Sequence, residues 1–441
     1  MMGNRLVLTT ARFTALALLF TVCVSALAQN QERPKLKHFG SSLKQIKWDE
    51  EKQAAVEKKT KSSPRAESGD VDVVKIETSL VSTDVLVLDA DSNPVQGLSE
   101  KEFLIAEDGR SQQVGMFSLG SDIKVPRSIV LIIDYSGSQF PFIKTSVAAA
   151  KTLVDQLPAS DSMAIVTDDV ELIQDFTKDK QELKSKLDSL LKKVGANTPR
   201  DSLDHVLRKH FGRSQQYSAL MATLREAFNN EDQRPIVIFQ TDGDQLGFLR
   251  NSPVSYLPFG VDKRTAAAIR QSSEEYRVNF SLDDIYREAE KARATIYTVV
   301  SGERLLGRRV EDMMAEKKKE IEFLLKLIPA PMTPERQRLL INMTTDEQLR
   351  ASAENAMKYQ SALESVATST GGWAMFLEKP EDADGIYSKI FSDINRRYIV
   401  GYYPVNKEHD GKRRKVEITV GNHPEYKVVS RGWYYAPSAD Q

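Results

Sequence analysis

The chain has 441 residues, 41% of them hydrophobic and 28% charged, with a formal net charge of −1. That length admits two or three domains, each able to bury a core. The near-neutral balance excludes the strong field that nucleic acid or an anionic membrane surface would call for.

The N-terminus reads as an export signal. Arg5 and Arg12 carry positive charge, "FTALALLFTVCV" over 13–24 is the apolar centre, and "ALA" at 26–28 is a small-x-small cleavage site. The mature start is then Gln29, and the protein is periplasmic or secreted. An uncleaved anchor is the alternative, although the apolar run is short for a membrane span. A lipid anchor at Cys23 is opposed by the bulk of Val22. Cys23 is the only cysteine, so cleavage leaves neither a disulfide nor a thiol, and packing alone must hold the fold. Residues 29–70, rich in Lys, Glu, Gln and Ser, read as a flexible or loosely helical leader.

Residues 71–122 change to a β pattern. "LVSTDVLVLDADSNPV" alternates and then turns. "EFLIAEDGRSQQVGMFSL" gives two more strands about the Asp108-Gly109 turn. These strands are few for a stable sandwich by themselves.

Over 123–397 apolar strands alternate with amphipathic helices. The strands are predicted at 128–133, 163–167, 235–240, 294–300 and 372–377, and the helices at 140–157, 180–192, 216–228, 282–293 and 381–396. This alternation predicts an α/β fold, a doubly wound and mostly parallel sheet with helices on both faces. "TDDVELIQDF" adds an antiparallel edge hairpin turning at Asp168-Asp169. Residues 303–350 read as a helical insertion, two charged amphipathic helices broken by Pro329 and Pro331, which either binds a partner or covers the sheet. The stretch 249–281 is ambiguous, a mobile loop being one reading. Residues 398–441 return to strands in "RRYIVGYYP", "KRRKVEITV" and "YKVVSRGWYY". They are expected to join 71–122 in an accessory antiparallel, sandwich-like domain, with the α/β domain inserted between its halves.

Two buried strands end in acidic turns. "SIVLIIDYSGSQF" places Asp134, Ser136 and Ser138 after the first, and "VIFQTDGDQ" places Asp242 after a later one. Each is a polar turn on the simplest view. In an open parallel sheet, however, ligands bind at the carboxyl ends of strands near the switch in strand order. If the two strands are neighbours, Asp134 and Asp242 converge there. Carboxylates and hydroxyls are hard oxygen ligands suited to Mg²⁺, Mn²⁺ or Ca²⁺ rather than zinc, and Gly137 relieves the backbone between the serines. Asp244 reads as a turn residue.

Asp-x-Ser-x-Ser followed by a later Thr-Asp-Gly resembles the metal-ion-dependent adhesion site of von Willebrand factor A domains. The flanks "STDVLVLDADSNPVQGLSEKEFLIAEDG", "DSMAIVTDDVELIQDFTKD", "YIVGYYP" and "RGWYYAP" resemble the exported, acidobacterial-type family related to that domain, and the resemblance covers about 74–438. It implies that Asp134, Ser136 and Ser138 are metal ligands and that Asp242 acts from the second turn, often through water. It also implies a threonine from a Gly-Gly-Thr-x-x-Tyr-Asp-Ala-Leu-like loop. Here "GRSQQYSAL", 212–220, puts Ser214 at the threonine position and Ser218 at the aspartate position, while "GANTPRDSL" offers Thr198 as a rival. The implied cofactor is a divalent cation, Mg²⁺ first, with Mn²⁺ or Ca²⁺ as alternatives. The implied partner is a protein offering an Asp or Glu carboxylate, in adhesion or envelope assembly.

Three functions compete: a non-catalytic binding module, a metal-dependent hydrolase or phosphatase, and a structural envelope protein with a vestigial site. A strand-end aspartyl phosphatase needs a second acid two residues on, where this chain has Ser136. There is no P-loop, no Gly-x-Ser-x-Gly elbow, and no His-Glu-x-x-His among His38, His205, His210, His409 and His423. The binding module is the expected function.

Overall fold

The computed structural model of the chain describes residues 46–49, 54–57, 80–119, 126–136, 139, 142–195, 215–228, 234–245, 248–249, 278–327 and 345–438. The export signal and most of 249–281 lie outside this set. Ile46–Asp49 (β1) and Ala54–Glu57 (β2) pair as an antiparallel hairpin inside the stretch whose composition reads as a leader. Val81–Leu88 (β3), Phe103–Glu107 (β4), Arg110–Gln112 (β5) and Val114–Leu119 (β6) follow. The β4–β5 turn puts Asp108 and Gly109 at φ 47° and 78°. Both are left-handed, the geometry for which an Asp-Gly pair is favoured in tight hairpins.

Arg127–Ile133 (β7) is buried at every residue, as a central parallel strand must be when helices cover both its faces. Ile143–Gln156 (α1), Ser162–Thr167 (β8), Leu172–Thr177 (β9), Lys180–Gly195 (α2) and Gln216–Glu226 (α3) come next. After them run Arg234–Thr241 (β10), Leu282–Lys291 (α4), Thr295–Ser301 (β11), Val310–Leu327 (α5), Asp346–Ser369 (α6), Ala374–Leu377 (β12) and Ala383–Asn395 (α7). The sheet order is β12-β11-β10-β7-β8-β9. Every neighbouring pair is parallel except β8–β9, which is antiparallel about the predicted turn. The chain therefore winds outward from β7 in one direction and returns from β10 in the other, so the switch point lies between β7 and β10.

Alternation along β7 divides the core. Ile129, Leu131 and Ile133 face α1, α2 and α7 with Val147, Leu187 and Ile390. Val130 and Ile132 face α3, α4 and α6 with Leu220, Ile285 and Leu363. Each such side chain contributes roughly 1.5–3 kcal/mol by leaving water. Helix α4 begins at a capping box. Asp284 N donates to Ser281 Oγ (3.3 Å) and Ser281 N donates to Asp284 Oδ2 (2.8 Å), satisfying donors that a helix start leaves open.

The 303–350 segment differs from its expected form. Its second helix, α6, starts at Asp346, runs to Ser369, and is the crossover that carries the chain to β12. Leu363 and Val366 pack it on the sheet. Among the described residues of this segment, only α5 is additional. It lies on α6, with ion pairs Glu311–Arg350 at 3.2 Å and Lys318–Asp346. Pro329 and Pro331 lie outside the described residues.

Tyr398–Tyr402 (β13), Arg413–Val420 (β14), Lys427–Val429 (β15) and Trp433–Tyr435 (β16) complete two antiparallel sheets, ordered β15-β3-β13-β6 and β16-β14-β4-β5. Each sheet takes strands from both ends of the chain, as expected of an accessory sandwich with an inserted domain. Strand β14 alternates strictly between exposed and buried. Its Val416, Ile418 and Val420 meet Val85, Val87, Phe103 and Tyr398 in the sandwich core. Strands β6 and β13 pair so that Leu119 lies opposite Tyr398. The sandwich is tied to the amino ends of the α/β strands, where Arg234 Nη2 and Thr295 Oγ1 donate to Asp84 (2.9 and 3.4 Å). Strands of this length place the opposite, carboxyl edge of the sheet some 20–25 Å away.

Candidate metal centre

The switch point brings the two acidic turns together. Asp134 follows β7 and is fully buried, Ser136 is buried, and Asp242 follows β10 and is half-buried. Asp134 N donates to Gln240 O at 3.0 Å, which continues the β7–β10 pairing one residue past the end of β7. The Asp134 carboxylate accepts Ser136 N at Oδ1 (2.9 Å), and Thr241 Oγ1 (2.8 Å) and Gln216 Nε2 (3.0 Å) at Oδ2. The same Gln216 Nε2 reaches Asp242 Oδ1 at 3.3 Å, and Gln139 Nε2 donates to Asp242 Oδ2 at 3.2 Å. Asp242 Oδ1 also accepts Asp244 N at 3.0 Å, which gives Asp244 its turn role. One amide nitrogen therefore stands between two carboxylates from distant parts of the chain.

The neighbouring turns hold this arrangement in place. Asp168, at the β8–β9 turn, accepts Tyr135 N at its Oδ1 (3.1 Å) and Gln215 N at its carbonyl (2.9 Å). It thus links the first motif to the start of α3. Val170 in that turn has φ 61°, an uncommon and strained conformation for a β-branched residue. At the expected aspartate position, Ser218 is buried, and its Oγ accepts from Gln245 Nε2 at 3.1 Å. Gln245 Oε1 in turn accepts Tyr217 N and Ser218 N at 2.6 and 3.2 Å, which fixes the first turn of α3 against the β10 turn.

Burial pushes the Asp134 carboxyl up from its ordinary 3.8 to about 6, and the charge of Asp242 adds to the rise, while the bonds from Ser136 and Gln216 act against it. The buried oxygens Gln216 Oε1 and Gln139 Oε1 have no hydrogen-bond partner among the described residues. Two carboxylates and the hydroxyls of Ser136 and Thr241 form a hard-oxygen donor set. That set fits a hard divalent cation. Among the described residues no three His, Cys, Asp or Glu side chains cluster, so hydroxyls or water would have to complete such a site.

Of the residues predicted for the site, Asp134, Ser136 and Asp242 come together. Ser138, Ser214 and the rival Thr198 lie outside the described residues. Gln139, Gln216, Thr241 and Asp168 were not assigned from sequence. The first three stand inside or beside the motifs, and of these Thr241 alone adjoins an acid in the sequence.

No family model matches the chain, and no curated protein does. Among solved structures, it is similar to a von Willebrand factor type A protein from Catenulispora acidiphila (10% identity, covering 83% of this chain and 76% of that one, TM-score 0.32). It is also similar to the vWF domain of the type V pili tip protein Mfa5 from Porphyromonas gingivalis (15% identity, 62% and 96% covered, TM-score 0.32). A third is the manganese-loaded TRAP protein of Plasmodium vivax (10% identity, 74% and 97% covered, TM-score 0.24). At these scores the likenesses carry no weight of their own. The doubly wound α/β fold stands on the strand order and, among the described residues, its one antiparallel edge strand. Among the described residues no helix is long and apolar enough to cross a membrane.

Proposed function

We propose that this is an exported, non-catalytic binding module that recognises a carboxylate on a protein partner through a divalent cation, Mg²⁺ first, in adhesion or envelope assembly. Asp134, Ser136, Ser138, Ser214 and Asp242 would hold the ion. The single observation supporting this is the meeting of Asp134 and Asp242 on one donor at the switch point of the sheet. When bound, the cation would offer an open coordination position to an outside acid. Asp134 would anchor it from the buried side, and half-buried Asp242 would face the entrance. The sandwich is tied to the amino ends of the strands through Asp84.

The test is Mn²⁺ binding by calorimetry on the full chain and on Asp134→Ala, followed by pull-down from envelope extract with and without chelator. Binding that is lost in the variant, with a partner released by chelator, is the expected result. A structural protein with a vestigial site is the second reading. It is favoured by the nitrogens of Gln139 and Gln216, which already stand against Asp242, and absence of Mn²⁺ binding would establish it.

A further inference from the structure

Gln216 is fully enclosed, with 1% of its surface exposed. Its Nε2 lies 3.0 Å from Asp134 Oδ2 and 3.3 Å from Asp242 Oδ1. Its Oε1 is buried without a partner. The orientation of the amide is dictated by chemistry: a carbonyl oxygen in the place of Nε2 would face two carboxylates and repel both, so the nitrogen must point inward even though this orphans the oxygen. Leaving a buried acceptor unpaired is unfavourable. The contact persists because two carboxylates in one enclosed space need a positive pole between them.

We propose that the Gln216 carboxamide is an internal stand-in for the cation: it bridges Asp134 and Asp242 in the metal-free protein and is displaced when the ion enters. The inference rests on the cation site proposed above and deepens it by naming the residue that sets how tightly the site is closed. In a thermodynamic cycle, an interaction made only in the metal-free form opposes binding by its own strength. Removing the amide therefore weakens the metal-free protein, leaves the loaded form as it was, and tightens binding.

Gln216→Met keeps the length and the unbranched shape while removing the donor. In the full chain stripped with chelator, the variant should melt at a lower temperature than wild type. It should then bind Mn²⁺ about tenfold more tightly, the equivalent of one hydrogen bond to a charged group, and saturating Mn²⁺ should erase the difference in melting temperature. Weaker binding would make Gln216 a ligand and overturn the proposal, as would unchanged affinity. If Gln216→Met does not fold without metal, Gln216→Glu is read instead. It places a third carboxylate in the same space and must also bind Mn²⁺ more tightly than wild type, unchanged affinity again being fatal. Wild-type binding that depends on Asp134, combined with a weaker or unchanged Gln216→Met, overturns only the stand-in. Binding by Gln216→Met but not by wild type supports both ideas. Binding by neither removes the cation site and the stand-in together.

Discussion

In chelator-treated protein, acidification from neutral pH should stabilise the fold through Asp134. Its carboxyl is fully buried and held at about 6 against an ordinary 3.8. The folded state therefore holds this proton more tightly than the unfolded chain does. Stability attributable to the group is lowest above the folded value and rises as pH falls through 6 toward 3.8. The whole difference corresponds to about 3 kcal/mol, of which about 1 kcal/mol appears between roughly pH 7 and pH 5. Other groups titrate over the same interval, so the measurement is a difference: urea unfolding of wild type minus Asp134→Asn at both pH values, in chelator. Wild type should gain about 1 kcal/mol more than the variant on acidification. Equal pH dependence in the two proteins would refute the placement of Asp134 as a buried carboxyl pressed against Asp242.

Further expectations rest on single contacts. Thr241→Val removes the hydroxyl that donates to Asp134 Oδ2 and accepts from Gly243 N at 3.0 Å. It should lower unfolding free energy by about 2 kcal/mol, read by chemical denaturation. Arg397→Met should cost about 3–5 kcal/mol, because Asp393, bonded by Arg397 Nε and Nη2 at 3.1 and 2.9 Å, would stay buried without its cation, held by the neutral Trp373 indole N–H at 2.5 Å. Gly372→Ala drives a Cβ into the carbonyl oxygen of Ile296 on β11. The strand or the α6–β12 turn must then shift, at about 1–3 kcal/mol, seen as a lower melting temperature.

Much of the α/β domain was legible because its signals are local. The unbroken apolar run of β7 and the helical periodicity of α1 through α4 and of α7 bring their ends within a few residues of the predicted ones. The antiparallel β9 was readable from the Asp168-Asp169 turn. Helix α6 was not. Its polar first turns blend with the charged α5, and only its contacts with β11 show that it is a sheet-covering crossover. The candidate site was legible to the extent that two strand ends carry acids. The glutamines were not, because nothing adjacent in sequence reveals that Gln216 and Gln139 turn inward onto Asp242. That fact depends on packing between segments 26 and 103 positions apart, which no short pattern encodes.

The pairing of Leu119 with Tyr398 makes the exit to the α/β domain and the return from it adjacent partners in a single ladder. The larger domain is consequently hung from the sandwich the way a long loop hangs from a hairpin. A short turn spliced between β6 and β13 should close the host by itself, and a different cassette with neighbouring termini could be mounted there. The same geometry orders events during synthesis: the host cannot finish its sheets until the last strands leave the ribosome, whereas the guest has all its strands beforehand.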